Sequence, residues 1–165
     1  MRPQDVVILL KMVTIEKEEW QYRDLSAELS ISISEISESL NRSHLAGLVD
    51  ERRRKVHRQS LMEFIEYGLH YVFPQAPGSM VTGIPTAHSH PYYKKLFPGA
   101  EMQYAWPAPD GNIRGLAIGP LHHGIINAVG HDKILYLLLA SIDIIRVGRA
   151  RECKEAKRQL KQIIL

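Results

Sequence analysis

Apolar residues recur at intervals of three and four from the start of the chain. Val6, Val7, Leu9, Leu10 and Val13 mark one helix over residues 3 to about 15, and Pro3 suits its first turn, where a missing N–H costs nothing. Residues 16–21 form a polar connection. Leu25 and Leu29, four apart, predict a second helix over Tyr22–Leu29, after which Ser30, Ile31 and Ser32 turn the chain. Ser32 and Glu35 have the S-x-x-E spacing of a capping box, in which each side chain satisfies a free amide at a helix start. A third helix is expected from there to near Gly47, with Ile36, Leu40 and either Ser43 or His44 turned inward. Ser60 and Glu63 repeat the box and predict a fourth helix. Its buried face is Leu61, Phe64, Ile65, Leu69 and Val72, and Pro74 ends it.

The pattern is weaker beyond residue 73. Residues 74 to about 101 are rich in Pro and Gly and predict an ordered but irregular connection. Residues 103–106 and 113–118 fit two strands of a hairpin around PAPDGN, with Asp110-Gly111 as the turn signal. From about Asp132 the periodicity is helical almost to the last residue, and Gly148 within it marks a bend or a close helix contact. No internal repeat or low-complexity tract is present.

A chain of 165 residues, 45% hydrophobic and 24% charged, has room for one sizeable domain or two small ones and the composition of an ordinary globular protein. Its single cysteine, Cys153, rules out an internal disulfide and a cysteine-based zinc site, and suits a reducing cytosol. The N-terminal apolar run is too short for a signal peptide. The most apolar stretch, residues 134–145, includes Tyr136, Ser141 and Asp143 and falls short of the ~20 residues of a membrane span. The expectation is a soluble cytoplasmic protein with no membrane partner. The net charge of +3 permits a polyanionic partner without requiring one, so the placement of charge matters more than its sum. Arg52, Arg53, Arg54, Lys55 and Arg58 crowd into nine positions, opposed by Asp50 and Glu51.

Asp24-Leu25-Ser26-Ala27-Glu28-Leu29 followed by Ser30-Ile31-Ser32 resembles the ELAxELGVS core of bacterial helix-turn-helix proteins. Glu35-Ile36-Ser37-Glu38-Ser39-Leu40 matches the recognition helix, and Ala46-Gly47-Leu48-Val49 matches the segment leading into a wing. The chain therefore resembles winged helix-turn-helix transcriptional regulators, broadly of the multiple-antibiotic-resistance-regulator type, over its N-terminal third. The resemblance implies a mainly α fold with a small β component. Residues 1–73 are the winged helix-turn-helix DNA-binding domain, and residues 74–165 an α+β dimerisation or sensor region ending in a long helix. It implies double-stranded DNA as partner. Ser34, Ser37, Glu38, Asn41 and Arg42 are then the recognition face, and Arg52, Arg53, Arg54, Lys55 and Arg58 the phosphate or minor-groove contacts of a short wing. Two departures stand out: Ser30 replaces the usual turn glycine, and the recognition face is poor in positive charge.

The remaining chemistry is sparse. His88, His90, His122 and His123 are the candidate metal ligands, but their spacing matches no known site, and histidines beside prolines in loops are more often turn residues; no cofactor is expected. No phosphate-binding loop, dinucleotide fingerprint or nucleophile elbow is present, and Cys153 has no catalytic signature, so the chain is not expected to be an enzyme. Asp143 interrupts an apolar helix face and needs a partner, either Arg146 three residues on, Arg149 or Arg151, or an arginine of a second subunit. Tyr92, Tyr93, Phe97, Tyr104 and Trp106 suit either an effector pocket or a small core. Leu160, Ile163, Ile164 and Leu165 give the last helix an apolar face suited to self-association. Two readings follow: a homodimeric sequence-specific regulator, or an antitoxin-like or adaptor protein whose C-terminal region binds a partner protein.

Overall fold

The computed structural model describes residues 1–15 and 19–165, so the polar connection at 16–21 lies partly outside the described residues. Among these are α1 (Pro3–Thr14), α2 (Tyr22–Leu29), α3 (Ile33–Leu45), α4 (Arg58–Tyr67), α5 (Leu69–Val72) and β1 (Met80–Pro85), then a 3-10 turn at Ala87–Ser89. They continue with α6 (Pro91–Leu96), β2 (Tyr104–Pro107), β3 (Ile113–Ala117), α7 (Ile125–Ala128), α8 (Lys133–Val147) and α9 (Ala150–Ile164). The architecture is mainly helical with one small sheet, as the periodicity predicts.

α1 is the axis of the core. Val6, Val7, Ile8, Leu9 and Leu10 are all fully buried, as is Asp5, and Lys11 is nearly so. A helix enclosed all round needs its charges paired. Arg42 of α3 grips Asp5 with two hydrogen bonds, 3.0 and 2.8 Å long. Lys11 pairs with Glu28 of α2 and, at 2.8 Å, with Asp132, the N-cap of α8. Burial disfavours the Lys11 ammonium, but the two carboxylates outweigh it and hold its pKa above the ordinary value. The hydrophobic core is continuous from α1–α4 into Tyr93, Trp106 and α8.

The α2–α3 unit follows the sequence closely, with one substitution of roles. Ser30 sits in the left-handed region (φ 55, ψ 42), the conformation a glycine usually supplies. The Ser32 hydroxyl accepts from the Glu35 amide at 3.2 Å, which fixes the start of α3. Glu35 does not complete the box, however. Its carboxylate takes stronger charge-assisted bonds from Arg42 (2.6 Å) and Arg2 (3.3 Å), and a further one from Gln4 (2.6 Å). Ser43, not His44, is the fully buried residue of the last turn. A left-handed serine is strained by roughly 1 kcal/mol, partly offset by its stiffer unfolded chain. Ser30→Gly is thus expected to raise stability by up to about 1 kcal/mol, and Ser30→Val to lower it by at least about 1 kcal/mol, in urea melts. A Gly variant clearly less stable than the parent would show that the serine side chain itself is needed.

Four expectations need correction. Ser60 and Glu63 form no capping box: the His57 amide donates to Leu48 O (2.8 Å), and the helix begins directly afterwards at Arg58, which places Ser60 inside its first turn. Val72 is exposed, because the helix ends at Gly68 and restarts as the short α5. The segment 74–101 is not irregular, since its prolines sit where secondary structure tolerates them. Pro85 ends β1, and Pro91 opens α6 behind His90, whose Nδ1 accepts from the Tyr92 amide at 3.1 Å.

The fourth correction is the hairpin. Its turn forms, with the Gly111 amide donating to Ala108 O at 3.0 Å, but β2 and β3 do not pair across it. β1 takes the antiparallel edge of both, so β2 and β3 meet in parallel and the three strands close on themselves. At the crossing, a Cβ on Gly111 would lie 2.2 Å from the Gly83 backbone, and one on Gly83 would lie 1.9 Å from Trp106 O. Only glycine fits there.

The C-terminal helical stretch is two helices. α8 ends at Gly148, and α9 packs alongside α8 and against α4. Leu160 and Ile164 are fully buried there, Lys161 pairs with Glu66 at 2.8 Å, and Arg58 donates to Ile164 O at 2.8 Å. Of the apolar face read as a self-association surface, Leu160 and Ile164 are therefore consumed within the chain, whereas Ile163 is half-buried and Leu165 exposed. Asp143 is satisfied internally: it receives Arg146 (2.9 Å), Thr86 (2.7 Å) and the Trp106 indole (2.7 Å). Among the described residues, no helix is long and apolar enough to cross a membrane.

Candidate nucleic-acid interface

α3 presents an open face that the rest of the chain does not cover. Ser34 and Glu38 are exposed, Ser37 and Asn41 half-buried, and Leu45 is 87% exposed at the end of the same stripe. Spacings of three and four put these side chains on one side of the helix. Arg42 is not among them. Its guanidinium is turned inward onto Asp5 and Glu35, so the expectation that it reads bases is corrected: a buried carboxylate 37 residues away has claimed it. The face therefore carries serines, an amide, a carboxylate and an apolar tip, but no cation.

The cations follow directly. Past Gly47 the chain forms a single antiparallel bridge, Val49 with Val56, around a tight turn. Asp50 builds that turn: its carboxylate accepts from the amides of Arg54 (2.7 Å) and Lys55 (3.0 Å). Partial burial works against the charged form, but these amides prevail and hold Asp50 below the ordinary carboxylate range. Arg53 takes a left-handed backbone (φ 56) at the tip. The turn is closed by that one bridge and is as short as the spacing to the next helix allows.

The five expected cations of this turn divide by task. Arg54 stacks over Trp20 (4.8 Å) and Tyr22 (5.4 Å) and donates to Trp20 O at 2.6 Å, anchoring the turn to the start of α2. Arg58 is tied to the end of α9. Arg52 and Lys55 are exposed, and Arg53 is half-buried; none of the three pairs with a carboxylate among the described residues. Sequence reasoning passed over two exposed residues of α2 and α3. Arg23, exposed in the first turn of α2, is the usual kind of phosphate contact at a helix start. Leu45 suits contact with a thymine methyl or an apolar protein surface. Neither has a local signal beyond its exposure.

The four histidines do not assemble. His88 lies within the 3-10 turn and His90 directly after it, against α8, whereas the His122 and His123 rings, tilted 47° to each other with centroids 4.2 Å apart, precede α7, which packs on α2. Among the described residues, no group of three or more His, Cys, Asp or Glu side chains is placed to hold a metal. His90 is committed to capping α6 and packs edge-on to Tyr136 at 4.2 Å. Burial lowers its pKa to about 4, so it is neutral at ordinary pH.

No protein-family profile, curated protein or solved structure matches this chain.

Proposed function

We propose that the protein is a sequence-specific DNA-binding transcriptional regulator of the winged helix-turn-helix kind, without enzymatic activity, acting as a homodimer in the cytoplasm. The observation that carries this reading is the uncovered face of α3 lying next in the chain to a tight turn that exposes Arg52 and Lys55. Ser34, Ser37, Glu38 and Asn41 read base edges, with Glu38 suited to a cytosine amino group. Arg52, Arg53, Lys55 and Arg23 hold phosphates. Because the face of α3 has no cation, affinity comes mostly from the turn. The homodimer rests on the two-fold symmetry of paired half-sites rather than on α9.

Polarisation with a duplex taken from upstream of the gene, repeated across salt, tests the reading. Arg52→Ala/Arg53→Ala/Lys55→Ala is expected to flatten the log–log salt slope by about 2 to 3 and to weaken all duplexes alike. An unchanged slope would remove these residues from the interface.

A second reading has its own support. Leu45, 87% exposed and about two turns from Glu38 on the same side of α3, gives that helix an apolar and acidic surface of the kind proteins bind. An antitoxin-like or adaptor protein would use it, or its C-terminal region, for a partner chain. No duplex binding even at low salt favours that reading.

A further inference from the structure

Tyr67 and Tyr71 are 71% and 80% exposed, whereas every other tyrosine, tryptophan and phenylalanine among the described residues is buried or half-buried. They stand four apart, at the end of α4 and within α5, and Val72 is exposed beside Tyr71. The break at Gly68 does not interrupt their alignment. Helical bonds run up to it (Gly68 amide to Phe64 O, 2.8 Å) and on from it (Val72 amide to Gly68 O, 3.1 Å). Neighbouring aromatic rings held in water on a helix mark a protein-binding surface more than an ordinary solvated face.

The same ridge is polar at its other end. Gln59 and Glu63, both exposed, precede the tyrosines at the same spacing of four. Such a row is the ridge used in the commonest packing of one helix on another. Gln59 donates to Glu63 Oε1 at 3.0 Å, and Glu63 Oε2 has no partner among the described residues. A notch of about 420 Å³ opens beside these two residues, between α4 and the end of α9. Buried Met62 lines it, and its Glu66 and Lys161 already neutralise each other at 2.8 Å. One half of the ridge projects two rings; the other offers a hollow and a carboxylate acceptor.

We propose that two copies of this chain meet along the ridge, their α4 helices crossing antiparallel about a two-fold axis between Glu63 and Tyr67. In a two-fold contact residue i meets j and j meets i. The axis sets Tyr67 against Glu63 of the second copy, and Tyr71 against its Gln59 and the notch beside it. Each Tyr67 hydroxyl donates to a Glu63 carboxylate, and each Tyr71 ring is buried against Met62. A parallel pairing would set ring against ring and carboxylate against carboxylate. The ridge is thus complementary to itself reversed, which is what selects a second copy as its occupant. The inference rests on the homodimer of the proposed function and names the surface that joins it. No residue of α3 or of the turn at 50–55 takes part.

Sedimentation velocity of the full chain, from low to high micromolar concentration, tests it. The parent is expected to be a dimer. Tyr67→Ala/Tyr71→Ala should raise its dissociation constant at least about a hundredfold, because aromatic anchors dominate interfaces and each is lost twice. Both side chains are exposed in the single chain, so the variant should keep the parent's far-UV circular dichroism. Glu63→Lys should weaken the dimer at least about tenfold, since the Tyr67 hydroxyl loses its acceptor and a donor takes its place. Ile134→Lys, at an exposed apolar residue of α8, should leave the dimer unchanged. A dimer that survives the tyrosine or the Glu63 variant, or that Ile134→Lys breaks equally, overturns this surface and leaves the homodimer standing. A parent that is monomeric throughout overturns both, while duplex polarisation reads DNA binding separately.

Discussion

Replacing Arg146 with methionine is expected to cost roughly 3–5 kcal/mol of stability, the range for removing one partner of a buried ion pair. The guanidinium is a hub for three segments. Its Nη1 donates to Asp143 (2.9 Å) and Gly119 O (3.0 Å), its Nε to Phe73 O (3.1 Å), and its Nη2 to Gln75 (3.0 Å). Burial pushes the Asp143 carboxyl up; Arg146, Thr86 and Trp106 pull it back. Without Arg146 the opposing burial is left with two neutral donors, and two backbone carbonyls lose their partner as well. Arg146→Lys should rescue little, because one ammonium cannot reproduce a planar fork reaching four acceptors. For a chain of this size the loss corresponds to a fall in melting temperature on the order of 10 °C. The double variant Asp143→Asn/Arg146→Met should be less damaged than Arg146→Met alone, since the uncompensated charge is gone. Thermal melts of all three decide it, and a lysine variant within about 1 kcal/mol of the parent would disprove the hub.

That pair was visible in the sequence because both residues lie on one helix, three apart, on a face otherwise apolar. The same holds for the start of α3, where a serine cap and the spacing of Ile36 and Leu40 act over a few residues. What escaped are interactions set by distant segments. Ser60 and Glu63 have the right spacing for a cap, yet the helix start is decided by His57 pairing with Leu48, outside that window. The Asp110-Gly111 turn is real, but the strands on either side answer to β1, a segment whose prolines and glycines hid it. Gly83 and Gly111 read as loop residues in the sequence and are in fact the crossing point of the sheet.

The candidate interface divides in the same way. Exposure of Ser34 and Glu38 follows from helical spacing alone, because Ile36 and Leu40 fix which side is buried. The work of the arginines does not, since a guanidinium can reach several elements and its partner is chosen by the fold. Arg54 went to Trp20 and Tyr22, Arg58 to the end of α9, and Arg42 to Asp5, leaving Arg52, Arg53 and Lys55 without a carboxylate partner among the described residues.

The reassignment of Arg42 predicts a reversal in pH dependence. In the parent, burial works to raise the fully buried Asp5 carboxyl, but Arg42 and the Arg2 amide (2.8 Å) outweigh it and hold the pKa below its ordinary value of 3.8. A carboxyl depressed on folding contributes stability that is present above pH 3.8 and lost as pH falls through the lower folded value. Arg42→Met removes the cation and leaves burial in command, so the Asp5 pKa rises above its unfolded value. The sign then inverts: its favourable contribution is present below the unfolded pKa and is lost as pH rises. The variant's deficit should be roughly 3 kcal/mol or more near pH 7 and should shrink on acidification toward pH 3. Burial of His90, with its pKa lowered to about 4, adds an acid-labile contribution between pH 6.5 and 4, but equally in both proteins, so it cancels in the difference. Urea melts of parent and variant at pH 7, 5 and 3 measure that difference. If Arg42 instead reads bases and leaves Asp5 to other partners, the deficit will be small and flat across pH.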